Sequence, residues 1–128
     1  MPTRAHAPDR GGGAIETAMV LPLLLIMVFG VVHVAMYHLA RQAALSAAQV
    51  AVAAERGWGA TEGTGPQRAE GYLAGIPPVL RDVEPVEVTR NGNVVEATVT
   101  GASISVLPWH THTVSQTARG PLERVSSS

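Results

Sequence analysis

The sequence contains no cysteine and no lysine, and only 4% of its 128 residues are aromatic. Without cysteine the chain can form no disulfide framework, no thiolate zinc site and no cysteine nucleophile. The formal net charge is −1, so the basic surface that nucleic-acid binding requires is lacking as well, and we predict no nucleic-acid partner. All nine basic residues are arginine, which we attribute to genome composition rather than to mechanism.

Formal charge is also absent from one long segment, Thr17–Ala40, which directly follows the single carboxylate of Glu16. At 1.5 Å per residue, a helix of this length crosses a hydrocarbon core of about 30 Å. We therefore predict a transmembrane helix over about residues 17–40, in contact with the lipid bilayer. Pro22 lies inside it, and membrane helices tolerate such a residue. The remainder has room for one small domain only.

The residues before the span form a short polar leader, in which Arg4 and Arg10 outweigh Asp9. Positive charge before a first span favours retention of that side in the cytoplasm. The N-terminus is therefore predicted to be cytoplasmic, and the C-terminal domain extracytoplasmic. A cleaved secretory signal peptide is the alternative, but its apolar region normally runs about 7–15 residues, much shorter than the run found here.

The helical pattern continues past the span as an alanine-rich amphipathic stretch, which gives one long helix from about Ile15 to Arg56 with Glu16 in its first turn. Its apolar face comprises Ala44, Leu45, Ala48, Ala51 and Val52. A row of small residues that permits tight helix–helix packing comprises Ala43, Ala47 and Ala51. We assign residues 12–57 to this helix, which Gly57 and Gly59 end.

The rest of the chain is predicted to be mainly β. Residues 58–78 are assigned to a linker with a short helix over Gln67–Ala74, residues 79–120 to a small antiparallel β domain, and residues 121–128 to a frayed tail. Asn91-Gly92 between two alternating runs is a strong hairpin signal, with strands predicted at Val83–Arg90 and Asn93–Thr100. Two further short strands are predicted at 103–107 and 111–118.

A two-residue turn at Asn91-Gly92 fixes the register of the hairpin. It pairs Val88 with Val95 and places Glu87 opposite Glu96. The shared apolar face comprises Val86, Val88, Val95, Ala97 and Val99. The predicted fold class is therefore α+β: a long N-terminal transmembrane helix that extends into an amphipathic helix, followed by a small antiparallel β-sheet domain covered by the alanine-rich half of the helix.

The opening residues resemble the type IV prepilin signature, and most closely the TadE-like pseudopilins of Flp/Tad pilus systems. Those proteins carry a basic leader, a glycine, a glutamate at the fifth mature position and a Leu-Pro-containing apolar helix. Here the counterparts are Arg10, Gly11, Glu16 and the step at Leu21-Pro22. The chain departs from the family at Thr17, where an aromatic residue is usual. The resemblance covers about residues 10–45.

This resemblance implies a leader over residues 1–11 that a prepilin peptidase removes between Gly11 and Gly12. Cleavage there makes Glu16 the fifth mature residue, whereas cleavage after Gly13 would make it the third. Glu16 is then expected to pair with the new N-terminal amine of the same or a neighbouring subunit. The implied partners are the peptidase, other Tad pilins or pseudopilins and the assembly platform, with a location in the pilus or in the membrane.

Two other classes of function are alternatives to a minor pilin. One is a single-span anchored exported protein whose small β-rich domain binds something else. The other is an enzyme or metal protein, in which His110 and His112 share one face of a strand at a spacing that could bind metal. No third ligand lies nearby in sequence, so we interpret them as surface histidines and predict no metal, no cofactor and no catalytic residue. His33 and Tyr37 share a helix face and are interpreted as interfacial or hydrogen-bonding groups.

Overall fold

The structure is a computed structural model that describes residues 10–123, so all but the end of the predicted leader and most of the predicted tail lie outside the described residues. The elements in order are α1 (Arg10–Arg56), α2 (Thr64–Gly75), β1 (Leu80–Arg81), β2 (Glu87–Asn91), β3 (Val94–Ser103) and β4 (Thr113–Pro121). A long apolar N-terminal helix followed by a small antiparallel sheet confirms the predicted α+β class. The chain divides into two compact units at the step from Val32 to His33.

The first unit, over its described residues, consists of the apolar part of α1. Its large side chains are exposed along the whole length, among them Met19, Leu25 and Phe29. Within α1, an 18-residue window reaches a mean hydropathy of 2.5 and contains no buried residue. Exposure of this much apolar surface is unfavourable in water and favourable in lipid, so the segment is a candidate membrane span.

In the second unit the sheet is organised around β3, the longest strand. One edge of β3 pairs antiparallel with β2 and, at its end, with β1, while the other edge pairs antiparallel with β4. The inner face of β3 buries Val95, Ala97 and Val99. The outer face is polar, with Thr98 bonded to Thr117 at 2.9 Å. This alternation confirms the predicted single apolar face of the hairpin.

The predicted register of the hairpin is wrong by one residue at the turn. Asn91 pairs with Val94, so the turn residues are Gly92 and Asn93 rather than Asn91 and Gly92. Gly92 has a φ of 61° while Asn93 keeps a negative φ, which is the pattern of a type II′ turn with glycine first. Both registers keep the same side chains inside, because the pairing shifts by two residues along the partner strand.

The new register also removes the predicted contact between two carboxylates. Glu87 lies opposite Thr98, and Glu96 lies between Thr89 and Arg119. Arg119 Nε is 2.8 Å from Glu96 Oε2, so the charge on β3 is paired.

The strand predicted at 103–107 is also wrong. β3 continues unbroken through Gly101 to Ser103, and residues 104–112 form the loop to β4. Gly101 fits inside the sheet because β1 passes close by: a Cβ added there would lie 3.3 Å from the carbonyl oxygen of Arg81. The glycine therefore marks a close backbone approach and not the end of a strand.

The core lies between the alanine-rich half of α1 and the inner face of the sheet. Helix residues buried in it are Ala40, Ala44, Ala47, Ala48, Ala51 and Val52. Leu45, which was predicted on this face, is only half-buried. Small side chains let the helix approach closely: a Cβ on Gly120 of β4 would lie 2.7 Å from Val52 Cγ1. The small-residue row at 43, 47 and 51 is therefore buried within the chain's own domain, not left free for another helix.

Candidate processing and assembly segment

The three glycines lie in the first turn of α1, because the helix begins at Arg10. All three are exposed, and a Cβ added at any of them would meet no atom within 4 Å. The helix thus starts earlier than the predicted Ile15. Glu16 consequently lies in the second turn and not in the predicted first turn. Stabilisation of a carboxylate by the helix dipole is confined to the first turn, so it is weakened for Glu16 in the uncut chain.

Glu16 is exposed on a helix surface that is otherwise apolar or small. Within residues 11–123 its carboxylate has neither a hydrogen bond nor an ion pair. A shallow groove of about 400 Å³ runs beside it, lined by Gly13, Thr17, Val20, Leu21 and Leu24. An unpaired carboxylate next to such an apolar surface is costly in a bilayer, so a partner charge would stabilise it.

Thr17 uses its hydroxyl locally. Its Oγ1 donates a hydrogen bond of 2.7 Å to the carbonyl oxygen of Gly13, one turn back in the helix. Threonine often satisfies its hydroxyl in this way inside a helix that has apolar surroundings. The polar side chain is therefore compatible with the start of a membrane span, although an aromatic residue is usual at this position in the resembled family.

A second polar site, not predicted from the sequence, lies at the far end of α1. Glu55 is buried with 2% of its side chain exposed. Its Oε1 accepts hydrogen bonds of 2.9 Å from the backbone amides of Gly63 and Gly65, and its Oε2 accepts two from the guanidinium of Arg90. Glu55 therefore caps the start of α2, where Gly63 supplies no side-chain cap, and also holds β2.

The surroundings of Glu55 favour its ionised form. Burial by itself raises the pKa of this carboxyl group, but the hydrogen bonds from Arg90, Gly65 and Gly63 and the charge of Arg90 outweigh it. The net effect is a pKa below the ordinary value. One signal could have found this site: Glu55 continues the buried stripe of Ala48, Ala51 and Val52, and an acidic residue on a core stripe requires a partner.

Three histidines from two parts of the second unit come together. The ring centroid of His33 on α1 lies 6.3 Å from that of His110 and 5.3 Å from that of His112, and His110 and His112 are 4.5 Å apart. His110 and His112 were predicted to be surface histidines, and their proximity to His33 was not predicted. Tyr37 joins the cluster, with its ring 5.7 Å from His112. Among the described residues no set of three or more His, Cys, Asp or Glu side chains is arranged to hold a metal ion.

Comparison with known protein families supports the sequence resemblance. Residues 11–53 match the model of a family described as TadE-like protein. The match covers 43 of the 128 residues, about a third of the chain, and contains Gly11, Glu16 and the whole candidate span. The family is of the structural, pilin type and is not an enzyme family. No curated protein and no solved structure matches the chain.

Proposed function

We propose, from the match of residues 11–53 to the TadE-like family, that this protein is a pilin-like component of a Tad pilus system. That match is the observation that carries the proposal. The exposed apolar part of α1 supports it, because a pilin-type subunit is held in the membrane by one N-terminal helix before it assembles. The arginines of the leader favour an N-terminus in the cytoplasm and a sheet domain outside.

We further propose that a prepilin peptidase cuts the bond between Gly11 and Gly12. A protease needs an extended, accessible backbone, whereas this bond lies in a helical turn. Each glycine lowers helix stability by about 1 kcal/mol relative to alanine, so three in succession make the first turn easy to unwind. The same glycines place no side chain in the way of the enzyme.

After the cut, Glu16 is the fifth residue of a helix that starts at Gly12. The new amine at Gly12 then carries a positive charge close to the boundary of the span, where a low dielectric strengthens its attraction to a carboxylate. Pairing of Glu16 with this amine, on the same subunit or a neighbouring pilin, would set the axial register between packed helices. The assembly platform and the other pilins of the system are the partners of such a subunit.

N-terminal sequencing of the protein extracted from membranes, with and without a co-expressed prepilin peptidase, tests the processing step. We expect a mature chain that begins at Gly12. Gly11→Leu should abolish the cut, because it adds a branched side chain at the residue before the scissile bond. Gly13→Leu is the matched control and should still be cut, since it changes the same helical turn two residues away.

Two results would contradict this proposal. An intact N-terminus in the presence of the peptidase would favour the alternative, a single-span anchored protein with a small binding domain. Efficient cutting of Gly11→Leu together with loss of cutting in Gly13→Leu would move the site to the last glycine and would separate Glu16 from the fifth position.

A further inference from the structure

We propose that the loop between β3 and β4, residues 104–112, is a second membrane contact that places Trp109 in the interfacial layer of the bilayer. The proposal rests on the membrane anchoring by α1 proposed above. It concerns a different part of the chain, because this loop lies outside the segment that matches the TadE-like family. The partner that we propose for this loop is lipid and not another protein.

The loop has a closed base and a tight apolar tip. At the base, the amide of Ser103 donates a hydrogen bond of 2.9 Å to the carbonyl oxygen of His112. At the tip, the amide of His110 donates one of 3.2 Å to the carbonyl oxygen of Leu107, so Pro108 and Trp109 are the central residues of a β-turn. Proline favours the first central position of such turns. The indole of Trp109 is 77% exposed.

Contacts with α1 fix where this loop lies along the helix. Ser105 Oγ is 3.4 Å from His33 Nδ1, within hydrogen-bond distance, and the imidazoles of His110 and His112 lie against His33 and Tyr37. These contacts join one helical turn of α1 to both sides of the loop tip. The loop therefore lies beside residues 33–37 of the helix.

Residues 33–37 lie near the end of the predicted span of residues 17–40. A helix that enters a hydrocarbon core of about 30 Å at Thr17 leaves it after about 20 residues, near Met36. The first formal charge beyond Glu16 is Arg41, whose guanidinium carbon lies 5.9 Å from the ring centroid of Tyr37. A tyrosine with a nearby arginine is typical of the boundary between hydrocarbon and headgroups.

The composition of the loop and its flanking strands suits lipid. No formally charged residue occurs from Ala97 to Ala118, between Glu96 and Arg119. The exposed side chains at the tip include Val106 and Leu107 as well as Trp109. Tryptophan is enriched at membrane interfaces because its ring is apolar while its N–H can bond to headgroups or water. An uncharged apolar tip beside residues 33–37 of α1 is therefore suited to the interfacial layer of a bilayer.

The two tryptophans of the chain provide a test with an internal control. Trp58 is similarly exposed, at 83%, but follows α1 at its other end, about 28 Å along the helix from Tyr37 by the helical rise. Trp58→Phe leaves Trp109 as the reporter, and Trp109→Phe leaves Trp58. Each full-length variant is reconstituted at high dilution into vesicles with bromine on the lipid acyl chains, and its fluorescence is compared with that in unbrominated vesicles.

We expect Trp109 to be quenched by brominated lipid at least about threefold more than Trp58, most strongly by bromine near the headgroup end of the chain, and to emit at shorter wavelength. Equal quenching of the two reporters would overturn the proposal. So would a Trp109 that is protected from aqueous acrylamide but not quenched by brominated lipid, because a protein surface would then cover it. Resistance of the same samples to carbonate extraction reports the insertion of α1 separately. Extraction of the protein by carbonate would contradict membrane anchoring by α1, on which the proposal for the loop rests.

Discussion

At the scale of single residues, Glu55 is the ionisable group within residues 11–123 whose contacts join the most elements of the structure. It joins α1, the start of α2 and β2 through four hydrogen bonds, while only 2% of its side chain is exposed. By contrast, the pair between Glu96 and Arg119 leaves 35% and 70% of its side chains exposed. A buried carboxylate is tolerated only when its bonds are complete, so the loss of its charge should cost more than the loss of an exposed one.

Glu55→Gln is expected to lower the free energy of unfolding by about 1.5–3 kcal/mol, since hydrogen bonds to a charged group are lost or weakened. The matched control Glu96→Gln should cost less than about 1 kcal/mol. Thermal unfolding of the full-length protein in detergent micelles, followed by circular dichroism, measures both. Equal effects of the two substitutions would contradict the assigned role of Glu55.

The pH dependence of the same variant gives a second readout. Because the pKa of Glu55 is lowered on folding, its contribution is complete above the ordinary value of 4.5 and is lost as the pH falls through the lower, folded value. The wild-type melting temperature should therefore fall over that range more steeply than that of Glu55→Gln. Parallel curves for the two proteins would argue against an ionised Glu55 in the folded state.

At the scale of elements, α2 depends on how closely its first turn approaches α1. A Cβ added at Gly65 would lie 2.4 Å from Glu55 Cγ and 2.8 Å from the carbonyl oxygen of Ala51. The second of these atoms belongs to the backbone of α1 and cannot move aside alone. Gly71 lies in the same helix, and a Cβ there meets nothing within 4 Å.

We expect Gly65→Ala to destabilise the protein by about 1–3 kcal/mol, because the added methyl group forces α2 away from Glu55. Gly71→Ala should instead stabilise it by about 0.5–1 kcal/mol, since alanine loses less conformational entropy in a helix. Melting temperatures of the two variants, measured side by side, should therefore move in opposite directions. A neutral Gly65→Ala would mean that α2 is not tightly held by the Glu55 site.

The elements that could be predicted from the sequence are those specified by local patterns. The uncharged run of α1, its alanine-rich stripe and the alternation around Gly92 each lie within one continuous segment. The register at Gly92 could not be predicted from the sequence. A turn at Asn91-Gly92 and a turn at Gly92-Asn93 both contain the glycine, and both keep the same side chains on the inner face. Contacts across long separations were missed: Arg90 is 35 residues from Glu55, and Ser105 is 72 residues from His33.

At the scale of the whole molecule, the chain combines an exposed apolar helix with a domain that folds around the same helix's continuation. The row of small residues Ala43, Ala47 and Ala51 is buried within the domain and is not available for packing between subunits. In the proposed assembly, contacts between copies are therefore expected to involve mainly the part of α1 before His33, whose apolar surface is exposed. Glu16 is the one formally charged residue between Gly11 and Val32. We therefore expect an ion pair of Glu16 to set the axial register between packed helices.

Glu16→Ala should consequently leave processing intact and impair assembly. The substitution is at the fifth residue after the proposed cut and alters no contact found within residues 11–123, so the fraction of cut protein in membranes should match the wild type. An unpaired charge costs about 2.5–3.5 kcal/mol at the centre of a span and less at its boundary, and each 1.4 kcal/mol is a factor of ten. Loss of the partner carboxylate should therefore reduce incorporation into pili about tenfold. Immunoblots of membrane and sheared-pilus fractions from the native host measure both quantities.

Glu70→Ala, which removes an exposed carboxylate from α2, is the matched control and should leave both fractions unchanged. If Glu16→Ala enters pili at the wild-type level, the carboxylate does not pair with the amine of Gly12 during assembly, whatever happens at the cleavage site. If the uncut precursor accumulates instead, Glu16 acts in recognition by the peptidase. The two fractions therefore separate a role for this one charge in packing between subunits from a role in processing, because packing requires a neighbour and cleavage does not.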